Sequence, residues 1–102
     1  MEITYAVRDS EFEGRHIHEG EFLGFMERKL EFVGNSAEEV AGNLFRKAFS
    51  TEYELATIYY GEDVSEAQAQ LLVETLSAEF PDVDVELHFG GQPVYYYLIS
   101  LE

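Results

Sequence analysis

Two short sequences constrain this chain more than any other feature: Ser36-Ala-Glu-Glu39 and Ser65-Glu-Ala-Gln68. In each, a Ser precedes a Glu or Gln by three residues, the spacing at which two side chains satisfy the orphan amides of a helix start. Apolar residues follow at helical spacing. Behind Ser36 they are Ala37, Val40, Ala41, Leu44, Phe45 and Ala48; behind Ser65 they are Ala69, Leu72, Val73, Leu76 and Phe80, until Pro81 forbids continuation. The chain therefore holds two amphipathic helices, each with one stripe that must face a core.

The segments around them read as strands. Leu55 to Tyr60 is apolar and β-forming with only Thr57 polar, as expected of a central strand covered on most of both faces. Val83, Val85, Leu87 and Phe89 alternate with Asp84, Glu86 and His88, the pattern of a half-buried strand. Gly90-Gly91-Gln92-Pro93 makes a turn into a last strand, Val94 to Leu101, and the pair is expected to form an antiparallel hairpin. Upstream, Gly14, Gly20, Gly24 and Gly34 punctuate an alternation at Ile3, Tyr5 and Val7 and β-forming runs at Phe22 to Met26 and Leu30 to Val33, which gives three short strands. No internal repeat or low-complexity stretch interrupts the 102 residues, so residues 1–102 form a single domain. The expected class is α/β of an α+β-like kind: a mixed sheet of about five to six strands with two helices in the order βββαβαββ.

Strands joined through a helix usually run parallel. If Leu30 to Val33, Leu55 to Tyr60 and Val83 to Phe89 do so, the loops at Gly34-Asn35, Gly61-Glu62-Asp63 and Gly90-Gly91-Gln92 share the carboxyl edge of the sheet, where open sheets bind their partners. Both helix starts open there and would attract an anion. Glu62 and Asp63 argue against a free one.

Composition narrows the partners. Asp and Glu number 21 against 6 Lys and Arg, a net charge of −15, which repels phosphate backbones and anionic lipid; nucleic acid is not an expected partner. The longest apolar run, Val94 to Ile99, is far short of the roughly 20 residues that a spanning helix needs, so no membrane insertion is expected. The start, Met-Glu-Ile-Thr-Tyr, shows no signal peptide, and cysteine is absent, both compatible with a cytoplasmic setting.

Chemical motifs are sparse. No glycine loop is followed by a lysine that would cradle phosphate, Lys29 and Lys47 being the only lysines. His16 and His18 are two apart but remote from His88, in a Gly-flanked polar segment that reads as a solvated turn, so no metal is expected. No Gly-x-Ser-x-Gly sequence occurs, and Ser36 and Ser65 already cap helices. Carboxylate pairs are too common among 21 acids to mark a site. The tyrosines say more: on a regular last strand Tyr95 and Tyr97 point to one face and Tyr96 to the other, which suits either partner contact or packing beneath helices with wet hydroxyls.

The strings Ile3-Thr-Tyr-Ala-Val-Arg-Asp-Ser-Glu-Phe-Glu-Gly14, Tyr60-Gly-Glu-Asp-Val-Ser65 and Gly90-Gly-Gln-Pro-Val-Tyr-Tyr-Tyr-Leu-Ile-Ser100 together resemble the carboxyl-terminal domain of the fatty acid kinase A-subunit family, which is related to dihydroxyacetone kinase. The resemblance runs from residue 3 to the end. It implies that the chain is an excised carboxyl-terminal domain, with Leu101-Glu102 either native or a cloning scar. It implies that ATP and Mg belong to an amino-terminal kinase-like domain of the parent, and that this domain holds no cofactor and catalyses nothing alone. The implied partners are the other domains of the parent and a separate fatty-acid-carrying subunit. Where the family often has a shorter Asp-Gly turn, this chain has Met26-Glu27-Arg28-Lys29, which puts the register of the second hairpin in doubt. Residues that match the strings and fall at the carboxyl edge are the expected partner contacts: Glu62, Asp63, Gly90, Gly91, Gln92 and Tyr95, with Arg8 and Asp9 from the first string. A free-standing small-molecule-binding or regulatory module, and a structural unit that forms a homodimer, remain the alternatives.

Overall fold

The computed structural model describes residues 1–50 and 52–102. Six strands form one mixed sheet: β1 (Glu2–Tyr5), β4 (Phe22–Met26), β5 (Lys29–Gly34), β6 (Leu55–Tyr60), β7 (Asp84–Phe89) and β8 (Tyr95–Leu101). Their spatial order is β5-β4-β1-β8-β6-β7. Helices α1 (Ala37–Ala48) and α2 (Glu66–Glu79) pack on one face of that sheet, and a separate two-stranded ribbon, β2 (Ser10–Phe12) with β3 (Arg15–Ile17), contributes to a small cluster on the other. The class and the element order of the main sheet are those expected from the sequence.

The helices form where their stripes and caps dictate. Ser36 Oγ accepts the amide of Glu39 at 3.0 Å. At Ser65 the box is complete: its Oγ accepts the Gln68 amide at 3.2 Å and Gln68 Oε1 accepts the Ser65 amide at 3.2 Å. Val40, Ala41, Leu44 and Phe45 of α1 meet Ala69, Leu72 and Leu76 of α2, Ile3, Ala56, Ile58, Tyr97 and Ile99 in one continuous core. Helix α2 ends at Glu79, with Phe80 as its cap before Pro81. Gly24 lets α1 lie close on β4, because a Cβ there would fall 2.5 Å from Val40 Cγ1 and 2.8 Å from Leu44 Cδ1.

The sheet departs from expectation in its connections. Strand β8 does not form a hairpin with β7; it runs antiparallel to both β1 and β6, between them, and β7 pairs in parallel with β6 alone. The turn at residues 90–93 therefore carries the chain past β6 to its far side. Strand β6 is flanked on both sides yet covered on one face only: Ala56 and Ile58 are buried, whereas Tyr59, on the other face, is exposed. Phe89, read as the last inward residue of β7, is also exposed.

The β2–β3 ribbon was not among the expected strands. Its segments are three residues each, and only Ile17 is buried, against Ala6 and Leu30. The turn residues Glu13 and Gly14 both have positive φ, so a Glu-Gly pair between short β-capable segments was the available signal. His16 consequently lies on a strand rather than in a turn, with the His18 ring 4.8 Å away. In the β4–β5 hairpin, Met26 pairs with Lys29 across the two-residue turn Glu27-Arg28, whose φ values are 51° and 68°. That resolves the register, which shifts once, between Gly24 and Phe25.

Candidate functional site

Pairing fixes strand direction: β5, β1, β6 and β7 point one way, and β4 and β8 the other. The loops after β5, β6 and β7 thus share one edge although β5 lies at the opposite side of the sheet from β6 and β7. The end of β1 and the starts of β4, β8, α1 and α2 join them there.

Backbone hydrogen bonds hold two of these loops side by side. The amides of Gly90 and Gly91 donate to the carbonyl of Tyr60 at 3.0 and 3.2 Å, and the Glu62 amide donates to the carbonyl of Gln92 at 3.2 Å. Gln92 Nε2 donates to the carbonyls of Tyr59 and Tyr95, at 3.2 and 3.3 Å. Two glycines permit this approach, Gly61 against backbone and Gly90 against the Gln92 side chain, since a Cβ on Gly90 would collide with Gln92 Oε1. A Cβ on Gly61 would collide with the carbonyl oxygen of Tyr95 and fall 2.8 Å from that of Gln92, whereas one on Gly91 would meet the Phe89 ring at 3.1 Å. Glu62, Asp63, Gly90, Gly91, Gln92 and Tyr95 are thereby brought to one region. Arg8 and Asp9 follow β1 at the same edge, but no hydrogen bond or ion pair among the described residues joins them to the others; Asp9 Oδ1 accepts the Glu19 amide at 2.7 Å.

The three consecutive tyrosines do not alternate as a regular strand would. Ile3 pairs with Tyr97 and Thr4 with Tyr95, leaving Tyr96 as an extra residue. Neighbours on a strand point to opposite faces, so their partners do too: Tyr97 is buried beneath α1 and Tyr95 is exposed on the helix-free face. This corrects the expectation that Tyr95 and Tyr97 share a face. The cause is a bulge, which sequence period alone does not reveal.

Tyr96 joins an aromatic cluster at the edge. Its ring centroid lies 5.1 Å from that of Phe22, edge to face, and 6.2 Å from that of Tyr5; Tyr5 and Phe22 are 5.3 Å apart. Phe22 and Tyr96 line a cavity of about 250 Å³ together with Asn35, Ser36, Ala37, Glu38, Asp63, Val64 and Gln68. Burial pushes the Tyr96 phenol above its ordinary pKa, with the charge of Asp63 and then Tyr5 acting in the same direction. The sequence sets Tyr96 apart from its two neighbours but gives no sign of Phe22 or Glu38 as site residues, since the three converge only when the amino end of β4 meets the helix starts.

Larger concavities lie elsewhere. One of about 430 Å³ runs between α1 and α2, lined by Leu71, Leu72, Thr75, Gly42 and Arg46 among others. Arg46 there is already bound to Glu79 at 2.6 Å. Among the described residues no group of three or more His, Asp or Glu is arranged to hold a metal, and no helix is long and apolar enough to cross a membrane.

The family of carboxyl-terminal domains described as FakA-like, those of proteins like the fatty acid kinase A-subunit, matches residues 1–102. The "Uncharacterized protein SH1689" of Staphylococcus haemolyticus is 39% identical over 100 residues, 98% of this chain and 18% of that protein. Protein YloV of Bacillus subtilis is 33% identical over 101 residues, 99% of this chain and 18% of its own length. A further relative from Staphylococcus aureus is 32% identical over 100 residues, 98% of this chain and 18% of that protein. The chain thus spans under a fifth of the bacterial relatives that it matches.

Proposed function

The chain belongs to the FakA-like carboxyl-terminal family, named for the fatty acid kinase A-subunit, and on that premise we propose that it is a docking domain of a kinase-related parent, engaging a separate subunit that carries a fatty acid. In this reading the domain is non-catalytic. ATP and Mg²⁺ are held by an amino-terminal domain of the parent, where the acyl carboxylate is phosphorylated, and this domain helps bring the carrier to it.

One observation carries the reading: the Gly61–Asp63 and Gly90–Gln92 loops are clamped together by backbone hydrogen bonds, Phe89 and Val94 at either flank of the second loop are exposed, and so are Glu62 and Asp63 in the first. Large apolar side chains in rigid loops with a polar surround have the make-up of a protein interface. Val94 strengthens the case, because its φ of 72° is a backbone region that β-branched residues rarely occupy.

The test uses the parent protein and its fatty-acid-carrying subunit. Glu62→Lys and Gln92→Ala are each expected to weaken binding about fivefold to over a hundredfold, as loss of a hot-spot contact worth roughly 1–3 kcal/mol would. Because Gln92 also ties Tyr59 to Tyr95, its variant is melted alongside. Full affinity in a folded double variant would overturn the docking assignment.

A further inference from the structure

We propose that the cavity between the two helix starts is a receptor for a single arginine side chain of a partner protein. The inference rests on the docking reading only in taking the occupant from a protein; the chemistry is that of the cavity itself. Phe22 and Tyr96 supply ring surfaces at one side, Glu38 and Asp63 supply carboxylates, and the volume of about 250 Å³ is below the range of roughly 300–1,000 Å³ typical of small-molecule sites. An aromatic face beside carboxylates is the combination that recognises a planar cation; with Phe22 and Tyr96 at 79° to one another, the cation stacks on one ring, meets the other at its edge and donates in pairs to the acids.

The helix starts oppose a cation, so the balance of charge must be drawn. Each terminus contributes about half a positive charge. Glu38 and Asp63 line the cavity with a full negative charge each, and Glu39 and Glu66 add to the first turns of α1 and α2. The sum is negative. Glu38 accepts the Tyr97 hydroxyl at 2.8 Å through Oε2, a neutral donor that fixes the carboxylate without cancelling it. None of the six Lys and Arg of the chain lines the cavity. Compensation must therefore come from outside, in keeping with the net charge of −15.

Guanidinium is favoured over ammonium because it is flat, weakly hydrated and offers several donors in one plane, which suits a slot bounded by rings and two acids from different elements. Such a contact would sit beside the Glu62 and Gln92 loops, since Asp63 belongs to both regions.

The 102-residue chain, which encloses its own core, is titrated with N-acetyl-arginine amide and followed by NMR. Saturable shifts are expected at Phe22, Asp63, Gln68 and Tyr96, with at least threefold weaker binding in Asp63→Asn and in Tyr96→Leu, both checked for an unchanged fold. N-acetyl-leucine amide should produce none of these shifts, and N-acetyl-lysine amide should bind at least threefold more weakly. Shifts spread over acidic residues generally, equal binding of the lysine probe, or no saturation would overturn the proposal. Pull-down of the fatty-acid-carrying subunit by the folded parent carrying both Glu62→Lys and Gln92→Ala separates the two readings. A probe that binds while this variant keeps full affinity sinks docking alone; a probe that fails while this variant loses affinity sinks the arginine receptor alone.

Discussion

The Tyr97 hydroxyl donates a 2.8 Å hydrogen bond to Glu38 Oε2, fastening the buried middle of β8 to the first turn of α1. Burial and the Glu38 carboxylate both push the phenol far above its ordinary pKa, burial being the larger cause. Its ring is fully enclosed by the core, while the carboxylate reaches the half-buried cavity wall. One side chain therefore ties the centre of the sheet to the candidate site.

Tyr97→Phe keeps the ring and removes the donor. A loss of about 1 kcal/mol in denaturant unfolding is expected, because the half-buried Glu38 can recover water. Tyr97→Ala, which also opens a cavity, should cost about 3–5 kcal/mol.

The same phenol sets an alkaline limit. Its folded pKa is raised above the unfolded value of about 10, so its contribution is fully present below that pH and falls above it, where the unfolded chain loses the proton first. Tyr96 acts in the same direction. Stability measured from about pH 8 to about pH 11 should decline above about pH 10, and Tyr97→Phe should flatten the decline; an identical slope in the variant would contradict the assignment.

Gly61→Ala places a methyl against the carbonyl oxygens of Tyr95 and Gln92, both backbone atoms that cannot rotate away. Destabilisation of about 1–3 kcal/mol is expected from overpacking. Thermal melts of this variant beside Gly14→Ala provide the comparison, since a Cβ at Gly14 meets nothing within 4 Å but suffers its φ of 79°.

The Glu27-Arg28 turn places two ordinary residues in the left-handed region. Replacing them with Asn and Gly should stabilise the β4–β5 hairpin by about 0.5–1 kcal/mol, the relief of strain at φ of 68° outweighing the entropy that glycine adds to the unfolded chain. Unchanged or lower stability in urea would show that Arg28 makes a compensating contribution.

Moderate salt should raise the melting temperature. Among the described residues only Arg46–Glu79 and Lys47–Glu31 pair a permanent cation with one of the 21 acids, and both pairs are partly exposed. Screening over about 10 Å at 0.1 M then relieves more repulsion than attraction. Melts that coincide at about 10 and about 150 mM sodium chloride would contradict this balance.

Local chemistry determined the helices and the class of the fold. Ser36 and Ser65 mark their starts, Pro81 follows the end of α2, and the stripes through Leu44 and Leu72 name the faces that became buried. The shared edge was legible too, because a strand that returns through a helix regains its direction even when other strands stand between, as β4, β1 and β8 do between β5 and β6. The neighbours of β8 were not. Gly90-Gly91-Gln92-Pro93 suits a tight hairpin to β7 or a passage around β6, and only the tertiary structure selects the passage, by burying Tyr97 and Ile99 between Ile3 and Ile58 in the middle of the sheet. The Tyr96 bulge has the same origin: one extra residue opposite β1 turns Tyr95 outward and Tyr96 toward the helix starts. Strand neighbours and register depend on contacts between residues nearly a hundred positions apart, which no local period encodes.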